Sequence, residues 1–115
     1  MIILKSAVRA SVIVMFLVCS IPLYAKEGFT AEKFLQFTKA EQASYFQTSV
    51  TMAGVIATQT RKDLARCIDD WYFGSSETTK KRNASMMELM KKYPKHHPSG
   101  IIAAAINKAC GSLSK

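Results

Sequence analysis

Apolar residues recur at three- and four-residue intervals along most of this chain, and nowhere do they alternate as a half-buried strand requires. The pattern predicts helices throughout. Thr30 is a plausible N-cap for a short first segment, Thr30 to Phe37, whose apolar side is Phe34, Leu35 and Phe37. Thr38-Lys39-Ala40-Glu41 is a capping box, and a long helix should follow it to about Thr58. Phe46, Val50, Ala53 and Ala57 form its inner stripe, widened by Tyr45, Met52 and Ile56. Thr58-Gln59-Thr60 either interrupts the pattern or continues it. From Arg61 to Phe73, Leu64, Cys67, Ile68 and Trp71 fall on one inward face. Gly74-Ser75-Ser76 supplies a stop, and a further helix runs from about Glu77 to Tyr93. Its inner face is assigned to Ala84, Met87 and Met90, with Met86, Leu89 and Tyr93 beside them. Glu77 with Lys81, and Glu88 with Lys92, have the spacing of ion pairs on the wet side. Pro94 ends that helix. Pro98 or Ser99 opens the last one, with Ile102, Ala105, Ile106 and Ala109 inward and Gly111 as its stop.

The first residues do not fit this scheme. Lys5 and Arg9 precede an uncharged, almost wholly apolar run from Ser11 to Tyr24, and Ala25 precedes the charged pair Lys26-Glu27. A positive start, a short apolar stretch and a small residue at its end make a secretory signal peptide. The run is shorter than the roughly 20 residues that cross a bilayer, so no membrane anchor is expected after cleavage. Residues 1–25 are thus expected to be a cleaved signal, and residues 26–115 a single helical domain exported to the periplasm or beyond.

Cleavage changes the cysteine count. Of Cys19, Cys67 and Cys110, only the last two remain, which admits one intramolecular bond in an oxidising compartment. Two buried thiols or a redox pair are the alternatives, although no C-x-x-C motif supports redox work. The expected fold is therefore all-α: a small bundle of four to five helices tied by one disulfide. Of the 16 basic residues only Lys5 and Arg9 precede residue 26, whereas all 8 acidic ones follow it, so the remainder carries a net charge near +6. Such a surface attracts acidic proteins, anionic lipid or polysaccharide, or simply confers solubility. Nucleic acid is not an expected partner outside the cytoplasm.

Signals for catalysis are weak. The chain has no G-x-S-x-G, no H-E-x-x-H and no glycine-rich phosphate loop. His96 and His97 are adjacent and point in different directions, so they do not suggest a metal site, which needs three or four ligands. Asp69 and Asp70 diverge by about 100° on a helix and would not share a substrate; Asp70 is placed to pair with Arg66. No cofactor and no enzymatic activity are expected. Asn83-Ala84-Ser85 matches a glycosylation sequon. The strongest candidate for contact is a basic rim of Lys80, Lys81, Arg82, Lys91, Lys92 and Lys95, suited to an acidic protein. Within Trp71-Tyr72-Phe73, Trp71 is assigned to the core. One neighbour must face outward, and Tyr72 is taken as the exposed aromatic available to a partner.

The second half of the chain reads Arg66-Cys67-Ile68, then Met86-Met87-Glu88-Leu89-Met90-Lys91-Lys92-Tyr93, then His97-Pro98, then an alanine-rich helix closing on Ala109-Cys110-Gly111. This resembles the Rap/Tai family of small exported immunity proteins of type VI secretion. Thr30 to Phe37 is similar to that family's opening helix. The cysteine that ends the family's opening helix has no counterpart here, and Tyr45 to Ala53 lacks the family's glycine and aspartate. The resemblance implies a non-enzymatic protein that binds and blocks a cell-wall amidase effector. The alternative is a periplasmic acid-stress chaperone of the HdeA type, similar in size, helical content and single disulfide. A homodimer is compatible with either.

Overall fold

Side chains set most of the helix starts. The computed structural model describes residues 28–113, and the expected export signal lies outside them. Five helices follow one another: α1 (Ala31–Phe34), α2 (Lys39–Thr60), α3 (Lys62–Phe73), α4 (Ser76–Lys92) and α5 (Pro98–Cys110), with no strand among the described residues. Thr30 Oγ1 accepts from the Lys33 amide, and Ser75 Oγ from the Thr78 amide. The capping box of α2 is complete: Glu41 N–H donates to Thr38 Oγ1 at 3.2 Å, and Thr38 N–H to Glu41 Oε1 at 3.0 Å. These bonds hold the Glu41 carboxyl below its ordinary pKa, the Thr38 amide being the larger cause and its hydroxyl the second. For α5 the cap is His97, whose Nδ1 accepts from the Ser99 amide, with Pro98 in the first turn.

The first helix is shorter than the sequence suggests. It stops at Phe34, where Gln42, a buried residue of α2, donates its side-chain amide to the carbonyls of Phe34 and Leu35, both at 3.3 Å. The Phe34 carbonyl also accepts from the Phe37 amide at 3.0 Å, so the chain tightens into a turn there. At its other end, the Ala31 and Glu32 amides donate to the carbonyls of His96 and Pro94, at 2.8 and 2.9 Å. So α1 is docked on the connection between α4 and α5. Phe34 lies in an aromatic cluster with Phe29, Phe37, Tyr45 and Phe46.

The ambiguous stretch Thr58-Gln59-Thr60 continues α2. The break is one residue, Arg61, with extended backbone between the two helices. Its guanidinium donates to the Ser112 carbonyl at 3.1 Å and to Asp63 Oδ2 at 3.1 Å, so it holds both the start of α3 and the tail after α5. The Arg61 hydrogen bond is the first cause that lowers the Asp63 pKa.

The core stripe of α2 is Phe46, Val50 and Ala57, as the periodicity predicts, joined by Gln42. Met52 and Ile56 do not widen it: they are 56% and 59% exposed, and Val55 is 52% exposed. Successive helical residues turn by about 100°, and the covering helices reach only the narrow stripe. From Gln42 to Thr60 the helix carries no charged residue, so its outward face is apolar and hydroxyl-bearing. In α4 the buried residues are Met86 and Met90, with Met87 and Leu89 partly covered; Ala84, on the far side, is exposed. In α5 they are Pro98, Ile101, Ile102 and Ile106, whereas Ala109 in the last turn is exposed.

α3 packs against α2, α4 and α5, and it carries the covalent tie. Cys67 and Cys110 form a disulfide with Cα atoms 5.7 Å apart, 43 positions apart in sequence. Both lie half-buried at the edge of the core. Replacing both cysteines with serine is expected to cost about 2–4 kcal/mol in urea unfolding, on the loop-entropy scale for a ring of this size. Because the folded pKa of Glu41 is depressed, its contribution is present at neutral pH and is lost as pH falls below the ordinary value of 4.5. Stability curves of Glu41→Gln against pH should therefore fall less steeply in acid than those of the parent.

Candidate partner-binding surface

The two sides of α4 differ in chemistry. Towards the end of α3 it turns Thr79, Arg82 and Asn83. Thr79 Oγ1 donates to the Tyr72 carbonyl at 2.6 Å, Arg82 Nε to the Trp71 carbonyl at 2.8 Å, and Asn83 Oδ1 accepts from the Tyr72 hydroxyl at 2.7 Å. The Arg82 guanidinium also lies 5.5 Å from the centre of the Trp71 ring. One turn further on, Met86 and Met90 enter the core.

These contacts correct two expectations. Tyr72 is fully buried, and the outward aromatic is Phe73, 39% exposed. Tyr72 follows Leu64 and Ile68 at four-residue steps along the buried face of α3, and Asn83 partners its hydroxyl, so the ring enters the core without an unpaired polar atom. Burial raises its pKa, and the Asn83 hydrogen bond opposes that shift. Trp71 is half-buried beneath Arg82. The Tyr72 ring is therefore not exposed at the surface. Arg82, half-buried and bonded to α3, belongs to the packing and not to a free rim. Asn83 of the sequon is likewise engaged in the helix pair.

The remaining members of the rim stand out from the protein. Lys80, Lys81, Lys91, Lys92 and Lys95 are all exposed. Lys80 and Lys91, like Lys81 and Lys92, are eleven positions apart, which is about three helical turns or roughly 16 Å on one face. Glu77 and Glu88 are the acidic residues among them. Glu88 Oε1 accepts from Lys91 Nζ at 3.2 Å, not from Lys92 as the spacing suggested. Both partners are largely solvated, so this pair contributes little to stability. Lys92 Nζ lies 5.7 Å from the centre of the Tyr93 ring.

Grooves border this surface or lie apart from it. Between α4 and α5 a groove of about 450 Å³ has Leu89, Ile101 and Ala105 at its base and Lys92, His96 and Lys108 at its edge. Between α2 and α3 a groove of about 540 Å³ is floored by Val50, Gly54 and Ile68, with Arg66 and Asp69 at its rim. A third, about 450 Å³, runs between α2 and α5 past Met52 and Ile56. The ion pairs between described residues are Arg61–Asp63 and Glu88–Lys91; Asp70 does not join Arg66.

The two histidines serve different neighbours. His96 meets the Tyr93 ring edge at 5.4 Å, whereas His97 caps α5 and meets Phe29 at 5.5 Å. No group of three or more histidine, cysteine or acidic side chains converges as a metal site among the described residues. No protein-family model matches the sequence, and no curated protein or solved structure gives a significant match.

Two substitutions separate the packed cation from the free ones. Arg82→Ala should lower stability by about 1–2 kcal/mol through loss of a charge-assisted hydrogen bond and the Trp71 contact. Lys81→Ala should stay within about 0.5 kcal/mol of the parent in the same denaturant titration.

Proposed function

We propose that this chain is a small, exported, non-enzymatic helical protein that binds a partner protein through the outward face of α4. One observation carries the reading: four exposed lysines on that face and a fifth just beyond it stand against two glutamates, while the one arginine of the group is withdrawn into the packing. A rigid helix with like charges at both ends of a 16 Å span matches an acidic protein surface better than a small solute. The resemblance to Rap/Tai immunity proteins supplies the partner class, a cell-wall amidase effector. An acidic protein of another kind would satisfy the same electrostatics. The fold agrees with such a role, since the disulfide suits an oxidising compartment and no helix of the described residues is long and apolar enough to cross a membrane.

A second reading is favoured by a different observation. Met52, Val55 and Ile56 expose apolar surface on the uncharged face of α2, as a chaperone of the HdeA type would offer to unfolded clients. A pull-down from periplasm separates the two. Capture of one stoichiometric partner at neutral pH supports the binder, and broad client capture only in acid supports the chaperone. For the binder, the variant with Lys80, Lys81, Lys91 and Lys92 all changed to Glu should lose at least tenfold in affinity, with α-helical content unchanged. Equal affinity would reduce the lysine face to a solvated surface.

A further inference from the structure

We infer that the groove between α4 and α5 takes an apolar side chain from an acidic segment of the partner protein; this rests on the basic-face reading above. The groove is continuous with that face, because Lys92 belongs to both. Its base is apolar, built by Leu89 of α4 and by Ile101 and Ala105 of α5. Tyr93, 41% exposed, stands as an aromatic wall between Lys92 and His96, touching both. Lys108 of α5 adds a second ammonium at the edge, and no carboxylate of the described residues lines the groove.

That arrangement selects its occupant by charge. An apolar floor alone would accept any hydrophobic group. Two ammonium groups at the edge, with no acid to neutralise them, favour an apolar residue flanked by Asp or Glu and disfavour one flanked by Lys or Arg. Buried apolar anchors in pockets supply most of the energy at protein interfaces, and surrounding charges set specificity and encounter rate. The lysines of α4 would steer the partner, and the groove would hold it. Gly100 lines the groove, and a Cβ built there meets nothing within 4 Å. A side chain at this groove-lining position therefore begins in open space, and leucine has a higher helix propensity than glycine.

The test is an amide NMR titration of the exported, disulfide-bonded chain with three probes. The first is an end-blocked acidic peptide with one central phenylalanine. The second is the same peptide with serine in its place, and the third is dodecanoate. The phenylalanine peptide should shift the amides of Gly100, Ala104 and Ala105 and bind at least tenfold more tightly than the serine peptide. Gly100→Leu should erase that advantage while leaving thermal unfolding intact, and the pair Lys92→Glu and Lys108→Glu should weaken both peptides. Equal affinity of the two peptides, or an advantage untouched by Gly100→Leu, overturns the groove. If binding then still falls on charge reversal at Lys80 and Lys81, the basic-face reading stands without it. Dodecanoate shifting these amides while neither peptide does so makes the groove a lipid site and overturns the proposal. No shift by any probe at millimolar concentration also overturns it, and the pull-down then decides the wider reading by itself.

Discussion

The bond between Cys67 and Cys110 encloses the second half of α3 and the whole of α4 and α5 in one covalent ring. Chains of this size bury too little surface for packing alone to give a wide margin, so the ring restricts the unfolded chain where the core is thin. Its placement also matters for geometry. α3 touches α2, α4 and α5, and tying it to the last turn of α5 holds the two supports between which α4 lies. The lysine face is therefore presented by a helix whose neighbours on both sides are linked. Thr79, Arg82 and Asn83 then fix how α4 is rotated on its axis, because all three bond to the end of α3. If α4 turned by one residue, Met86 would leave the core and a lysine would move toward it.

At the opposite end, no covalent bond serves. There α1 lends two amides to the carbonyls of Pro94 and His96, Gln42 closes α1 from beneath, and His97 starts α5. The Tyr45 hydroxyl and Ser99 Oγ, 2.9 Å apart, join α2 to the same place. These interactions are local polar bonds laid over an aromatic cluster. They anchor the connection that carries Lys95 and His96, and so set one boundary of the groove between α4 and α5.

Much of this was legible in the sequence wherever the signal is local. The Thr38–Glu41 box, the Gly74-Ser75 break, Pro94 and Pro98 all act within one turn of their own position, and the helices begin and end close to them. The disulfide followed from the number of cysteines left after the expected cleavage. What could not be read locally depended on a second helix. Trp71 and Tyr72 are adjacent; Tyr72 continues the step of Leu64 and Ile68, and the acceptor that its buried hydroxyl needs comes from Asn83, eleven residues away. Arg82 counted as a surface charge until Trp71 supplied a ring and a carbonyl for it. Gln42 gave no signal, because the carbonyls of Phe34 and Leu35, at the end of α1, make its burial favourable. Met52 and Ile56 have the spacing of core residues, yet both stand more than half exposed.

The charge-free stretch of α2 gives the protein an internal contrast that ionic strength can reveal. Screening shortens the reach of the lysines on α4 to about 8 Å at 0.15 M salt. The outward side of α2, bearing Ser44, Thr48, Thr51, Met52 and Val55, has no ionic group to screen, and salts such as sulfate strengthen contact between apolar surfaces. Two faces of one small molecule are thus driven in opposite directions by a single solution variable, so association through one face is separable from association through the other by salt alone.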